Sequence, residues 1–188
     1  MGTGPTTTPT AVLRDEHQLI LEVSNALDQL LRDAAGGASL DYDTVGTCIT
    51  FFRLFADACH HGKEEDLLFP ELERAGLPHD TGPIAVMLSE HEQGRAFVRT
   101  MAASIEQARS GDERAQTELR TSAGDFISLI VSHIGKENNV LFNMADGMIV
   151  GPDCRELCAA YETTCSRNFD GKSKEDLERL AAGILGRA

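Results

Sequence analysis

Apolar residues recur at helical spacing in four long stretches, and no stretch of comparable length shows the two-residue alternation of a strand. The first, a helix expected over residues 10–35, puts Leu13, His17, Ile20, Leu21, Ser24, Leu27 and Leu31 on one stripe. Gly36-Gly37 supplies the stop that glycine commonly gives just past a helix end. The second carries Val45, Ile49, Phe52, Ala56, His60, Glu64 and Leu67 to about residue 75, with Asp41 or Asp43 as its cap and Gly76-Leu77-Pro78 as its end. The third takes Pro83 into its first turn, where a missing N–H costs little. It aligns Ile84, Met87, Leu88, His91, Val98 and Ile105 and stops near Ser110-Gly111. Asp112 caps the fourth, whose buried stripe holds Phe126, Leu129, Ile130, His133, Glu137, Val140, Leu141 and Met144. Long helices joined by short turns predict an all-α fold, an up-down-up-down four-helix bundle over residues 10–146.

Residues 1–9, rich in Thr, Gly and Pro, are expected to be disordered. Beyond the bundle, 147–152 reads as a linker to a C-terminal helical extension over 147–188. Two shorter helices are expected there, at about 153–167 and 173–185, split by Phe169-Asp170-Gly171. Ser173 with Asp176 offers a capping-box start. The extension is expected to dock on the bundle as a lid or to mediate association.

The polar residues on the buried stripes repeat. His60-His61-Gly62-Lys63-Glu64-Glu65-Asp66-Leu67-Leu68-Phe69 returns as His133-Ile134-Gly135-Lys136-Glu137-Asn138-Asn139-Val140-Leu141-Phe142. A Glu-His pair precedes each copy at nearly the same distance: Glu16-His17, then Glu90-His91. Each half therefore offers one His and a His-x-x-x-Glu, whose members share a helix face. One buried histidine is ordinarily a hydrogen-bonded core residue; four on four inward stripes, joined by two carboxylates, call for a cation. A buried carboxylate without a partner costs several kcal/mol or loses its charge. The ligand types suit iron, manganese, zinc or cobalt, and six ligands from two equivalent halves fit two six-coordinate ions bridged by Glu64 and Glu137. Closed structural zinc, by contrast, is normally tetrahedral and often uses thiolates.

The rest of the composition narrows the class. A net charge of −13 with scattered Lys and Arg excludes nucleic acid and anionic membrane surfaces as partners. No run reaches the roughly 18 apolar residues of a membrane span. The polar start fits no secretory signal, and five cysteines then point to a reducing cytoplasm. Cys48 and Cys59 lie in apolar helix and read as small core residues. Cys154, Cys158 and Cys165 fall near one face of one helix; packing accounts for them, with a redox or metal role as the alternative.

At the repeated motifs the sequence resembles the hemerythrin-like, or HHE cation-binding, domains. Asp15-Glu16-His17, the run from Cys59 through Pro70, Glu90-His91-Glu92 and the run from His133 to Phe142 carry the resemblance, which covers about residues 10–145. It implies a four-helix bundle around a non-haem di-iron centre with His17, His60, His91 and His133 as terminal ligands and Glu64 and Glu137 as bridges. It also implies chemistry with oxygen, peroxide or nitric oxide, or use of the iron as a sensor. Oxygen-carrying members place a second histidine one turn after the third-helix histidine, where this chain has Arg95, and carry their last carboxylate as an Asp one residue further on than Glu137, which stands four after His133 in this chain.

Two residues near the ligands stay open. His61, about 100° around an ideal helix from His60, supplies an extra ligand if the helix distorts, packs behind the ligands, or faces solvent. Arg95 pairs with an acidic neighbour, steers a small anion, or reaches out to water. Lys63, Lys136 and Glu65 are expected on the outer flank, and His79 on the surface. The functions consistent with these residues are a di-iron protein that reacts with O2, peroxide or nitric oxide and draws on an unidentified electron donor, a sensor acting through the cysteine-bearing extension, or a structural zinc or iron-storage bundle.

Overall fold

Six helices make up the described residues of the computed structural model, 8–165 and 169–187. The only other pairing among them is a single bridge between Phe169 and Lys172. The helices are α1 (Ala11–Ala35), α2 (42–74), α3 (Gly82–Arg109), α4 (113–148), α5 (Pro152–Cys165) and α6 (Lys174–Ile184). Most of the segment expected to be disordered, residues 1–7, lies outside the described residues, as do Arg167 and the Cys165 side chain.

Local chemistry sets the boundaries. Asp41, rather than Asp43, caps α2, accepting from the Asp43 and Thr44 amides at 3.1 Å each. Asp112 accepts from the Ala115 amide at 2.8 Å at the start of α4, and Ser173 and Asp176 form a reciprocal capping box before α6. Helix α4 runs through Met148, so the expected linker shortens to residues 149–151. After α5 the chain reverses at Asp170, whose φ of 57° is left-handed, followed by Gly171 at 84°.

Two helices depart from simple α geometry. In α2 the stretches Phe52–His61 and Glu64–Leu68 are π-helical, and in α4 so is Glu137–Leu141. Their signature is an amide reaching back five residues: Gly62 to Asp57, Phe69 to Glu64, Phe142 to Glu137. Such turns are rare and frequent at functional sites. Here they coincide with the two copies of the repeat.

Antiparallel packing follows from pairs that step in opposite directions. Between α2 and α3 these are Asp43–Arg109 at 2.7 Å, Asp57–Arg95 at 2.8 Å and the stacked rings of His61 and His91. Between α3 and α4, Gln116 donates to the Ala108 carbonyl at one end while His91 meets His133 at the other. Between α1 and α4, Thr10 bonds Asp146 and His17 bonds Asn138.

The buried residues sort into two apolar layers. One holds Ile20, Phe51, Cys59, Val98 and Ile134; the other holds Leu13, Leu68, Met87, Leu141 and Phe142. On each long helix the His and Glu positions fall between a member of one layer and a member of the other. Fully burying a Leu or Phe contributes roughly 1.5–3 kcal/mol, so two dry layers hold a polar layer between them. The extension docks on both: Leu157 and Tyr161 join the second layer, and Phe169, Leu177 and Ala181 the first.

Candidate metal centre

The polar layer brings together every histidine and glutamate singled out by the repeat. His17, His60, Glu64, His91, His133 and Glu137 are all at most 2% exposed. Their ligand atoms form two groups within 4.8 Å: His17, His60, Glu64 and Glu137, and His61, Glu64, His91 and His133. Glu64 belongs to both, with Oε1 3.6 Å from His60 Nε2 and Oε2 3.4 Å from His91 Nε2. Glu137 Oε2 lies 3.1 Å from His17 Nε2 and 3.2 Å from His133 Nε2.

Each of these four imidazoles is held from behind. His17 Nδ1 meets Asn138 Oδ1 at 3.0 Å, His60 Nδ1 meets Glu16 at 3.0 Å, His91 Nδ1 meets Glu65 at 2.6 Å and His133 Nδ1 meets Glu90 at 3.0 Å. A neutral ring donating from Nδ1 keeps its lone pair on Nε2, aimed inward. Anchoring of this kind fixes the tautomer and raises the basicity of a metal ligand. It also explains the Glu that precedes each repeat: Glu16 and Glu90 orient the next histidine of their own half, while Glu65 and Asn138 reach across to the other half. The repeat's terminal phenylalanines complete the cage, Phe142 stacked on His17 and Phe69 on His91.

The donors fit a metal on their own chemistry. Among the described residues, His17 Nε2, His60 Nε2 and both oxygens of Glu64 and Glu137 are buried without a hydrogen-bond partner. Their contacts with one another bring lone pair to lone pair, an arrangement that cations relieve. His91 Nε2 and His133 Nε2 lie 3.2 Å apart. Burial lowers the basicity of both rings; Glu64 and Glu65 overcome it at His91, up to about 9, while burial and the neighbouring His91 hold His133 down at about 4. His91 is therefore the more basic of the two rings in the metal-free protein.

His61 is 7% exposed and lies in one of the two ligand groups, its ring stacked on His91 at 3.8 Å. The solvent-facing alternative is ruled out. The π-helical turn ending at His61 is the local distortion that brings it inward beside His60. Arg95 does not reach out to water: it binds Asp57, Glu65 and Glu92. Nor do Lys63 and Glu65 lie on the outer flank. Lys63 is fully buried, its Nζ 2.5 Å from Glu16 and 3.4 Å from Cys59 Sγ, and half-buried Glu65 holds His91. Only Lys136, partly exposed on Glu90, lies toward the surface as expected. His79 is exposed on Glu73.

Residues 8–145 match the family described as the hemerythrin HHE cation binding domain. The chain belongs to that family.

Among curated relatives of this hemerythrin-family chain are uncharacterized proteins of Mycobacterium tuberculosis and Mycobacterium bovis. Each is 22% identical over 165 residues, covering 88% of this chain and 64% of the relative. The iron-sulfur cluster repair protein YtfE of Salmonella paratyphi B is 33% identical over 88 residues, 46% of this chain and 40% of its own length. The chain thus spans less than two thirds of these relatives. Family membership implies cation binding. No helix among the described residues is long and apolar enough to cross a membrane.

Sequence reasoning missed Tyr161. It is 1% exposed, on a helix that packs against the turn carrying Glu64, and its hydroxyl has no hydrogen-bond partner among the described residues. Burial and the Glu64 charge push its phenol upward, so it stays protonated. Lys174, also from the extension, sits 3.3 Å from Glu16. Cys154 and Cys158 are partly buried, and neither ligand group includes a cysteine.

Proposed function

We propose that residues 10–146 form an up-down-up-down four-helix bundle around a non-haem di-iron centre, with 147–188 as a docked extension. His17, His60, His91 and His133 are its terminal ligands, Glu64 and Glu137 its bridges, and His61 a further imidazole on one side. The observation that carries this reading is the set of buried, inward-facing nitrogen and carboxylate atoms left without hydrogen-bond partners among the described residues. The similarity to YtfE, named for iron-sulfur cluster repair, supports iron over manganese or zinc. When bound, the irons supply electron exchange with O2, peroxide or nitric oxide. The protein's part is to aim the imidazoles, exclude bulk water with two apolar layers and hold Glu64 and Glu137 between them.

The deciding experiment is metal analysis of freshly isolated protein with absorption spectra under air, peroxide and nitric oxide. Two irons per chain and a ligand-sensitive band are expected; His60→Ala or Glu64→Ala should abolish stoichiometric loading. A protein that binds no iron, or whose spectrum ignores all three ligands, overturns the reading.

A second reading, a sensor without turnover, is favoured by one contact. Lys174 of the extension touches Glu16, which orients His60, so ligation and the docking of the extension are physically joined. Saturable ligand binding without peroxide consumption would select it.

A further inference from the structure

A cavity of about 340 Å³ opens between α2, α3 and α4 and ends on one side of the ligand layer. His61, His91 and His133 line its inner end, whereas His17, His60 and Glu137 do not. Its walls are apolar, formed by Phe52, Ala56, Gly94, Val98, Phe126 and Ile130. The volume is roughly ten times the ~30 Å³ one water occupies in the liquid, far more than a diatomic molecule requires, and it falls within the range of small-molecule sites.

The antiparallel register fixes the cavity's direction. His61 faces His91 and Asp57 binds Arg95, so one turn further Arg53 and Arg99 share the outer end. Eight residues of helix separate His91 from Arg99, about 12 Å along the axis. Most charged groups on the lining are already paired: Asp57 with Arg95, Glu90 with Lys136 and His133, and Arg53 with Asp170. Arg99 is exposed, with no ion-pair partner among the described residues. The unsatisfied charge at the mouth is therefore positive.

We propose that this cavity binds an elongated organic acid, its carboxylate at the Arg99 mouth and the end of its apolar body facing the His61–His91–His133 side of the centre. What the occupant is for rests on the metal-centre reading; the cavity itself does not. An acid of about eight carbons suits the length, and a neutral analogue would lose the contact with Arg99.

Calorimetric titration of octanoate, with octan-1-ol as the neutral control, tests this on the full chain in metal-free and iron-loaded forms. Saturable one-to-one octanoate binding is expected in both. Val98→Phe should weaken both ligands at least tenfold by filling the channel. Arg99→Gln should weaken octanoate about threefold to tenfold and leave octan-1-ol unchanged. Gly94→Ala serves if Val98→Phe fails to fold. Its added carbon would meet only Leu129 and Phe126 at 3.7 and 3.8 Å, ordinary contacts, and a twofold or larger loss is expected. In the iron-loaded form octanoate should also shift the absorption spectrum. No saturable binding in either form, or binding indifferent to the cavity variants, overturns the proposal. A protein that binds octanoate but no metal refutes the di-iron reading instead.

Discussion

Glu16 holds His60 by its Nδ1 edge at 3.0 Å and, through its other oxygen, the buried ammonium of Lys63 at 2.5 Å. Glu90 repeats the arrangement on His133 and Lys136 in the second half. The two copies differ in solvent: Lys63 is fully buried, whereas the Lys136 side chain is 39% exposed.

That difference gives a paired prediction. Glu16→Gln and Glu90→Gln should each lower iron affinity about ten- to a hundredfold, the usual effect of disturbing an orienting partner. Only Glu16→Gln should also cost about 3–5 kcal/mol of stability, because it removes the charge opposite a buried ammonium; the exposed pair is worth at most about 1 kcal/mol. Chelator competition and thermal melts check both. Equal melting temperatures for the two variants would remove the buried ion pair from this account.

His91 makes metal binding and folding respond to pH in opposite senses. Burial opposes its charge, but Glu64 and Glu65 lift its pKa to about 9 in the metal-free protein, above the ~6.5 of an unfolded histidine. Its contribution to metal-free stability is fully present below about pH 6.5 and lost as pH rises through 9. A metal on Nε2 must expel that proton, so apparent iron affinity should rise about tenfold per pH unit toward 9. Melting of chelated protein from pH 6 to 10, with proton release measured by calorimetry in two buffers, checks the sign. Metal-free stability that climbs across this range would contradict it.

The helices and the inward placing of the six repeated His and Glu residues were legible because both follow from periodicity: the apolar stripe fixes a helix face, and the repeat puts His and Glu on it. The i→i+5 turns were not, since no residue in Phe52–His61 breaks α geometry by itself; packing around the centre selects them. For the same reason the inward position of His61 stayed open. Lys63 and Glu65 were misplaced because a charged residue next to a ligand reads as solvated until its partner, Glu16 or His91, is known. Those partners sit on other helices, at sequence distances that no local pattern encodes. Tyr161 left no signal, being an ordinary aromatic in a short helix whose docking site lies elsewhere in the chain.

His61 has Ile134 as its counterpart, and both are buried, so the second half shows what the first would look like without an imidazole. His61→Ile should therefore fold. It is expected to weaken one metal at least tenfold while leaving the ion beside His17 and His60 in place, giving about one tightly held iron per chain. Metal analysis after partial chelation reads this directly. Two irons retained with unchanged affinity would show that His61 only packs against His91.

Tyr161 separates the worth of a ring from that of a hydroxyl. The ring belongs to the apolar layer that holds Phe142 and Leu157, whereas the hydroxyl is buried with no partner among the described residues. An unsatisfied buried hydroxyl costs about 1–3 kcal/mol. In metal-free protein Tyr161→Phe should accordingly match or exceed the wild type, by up to about 4 °C in melting temperature. Tyr161→Ala, which empties the site and undocks α5 from the turn carrying Glu64, should cost about 3–5 kcal/mol. Circular-dichroism melts in chelator compare the three proteins. A loss of several degrees in Tyr161→Phe would mean that the phenol hydrogen bonds in the metal-free protein, and the hydroxyl would then belong to the polar layer, not the apolar one.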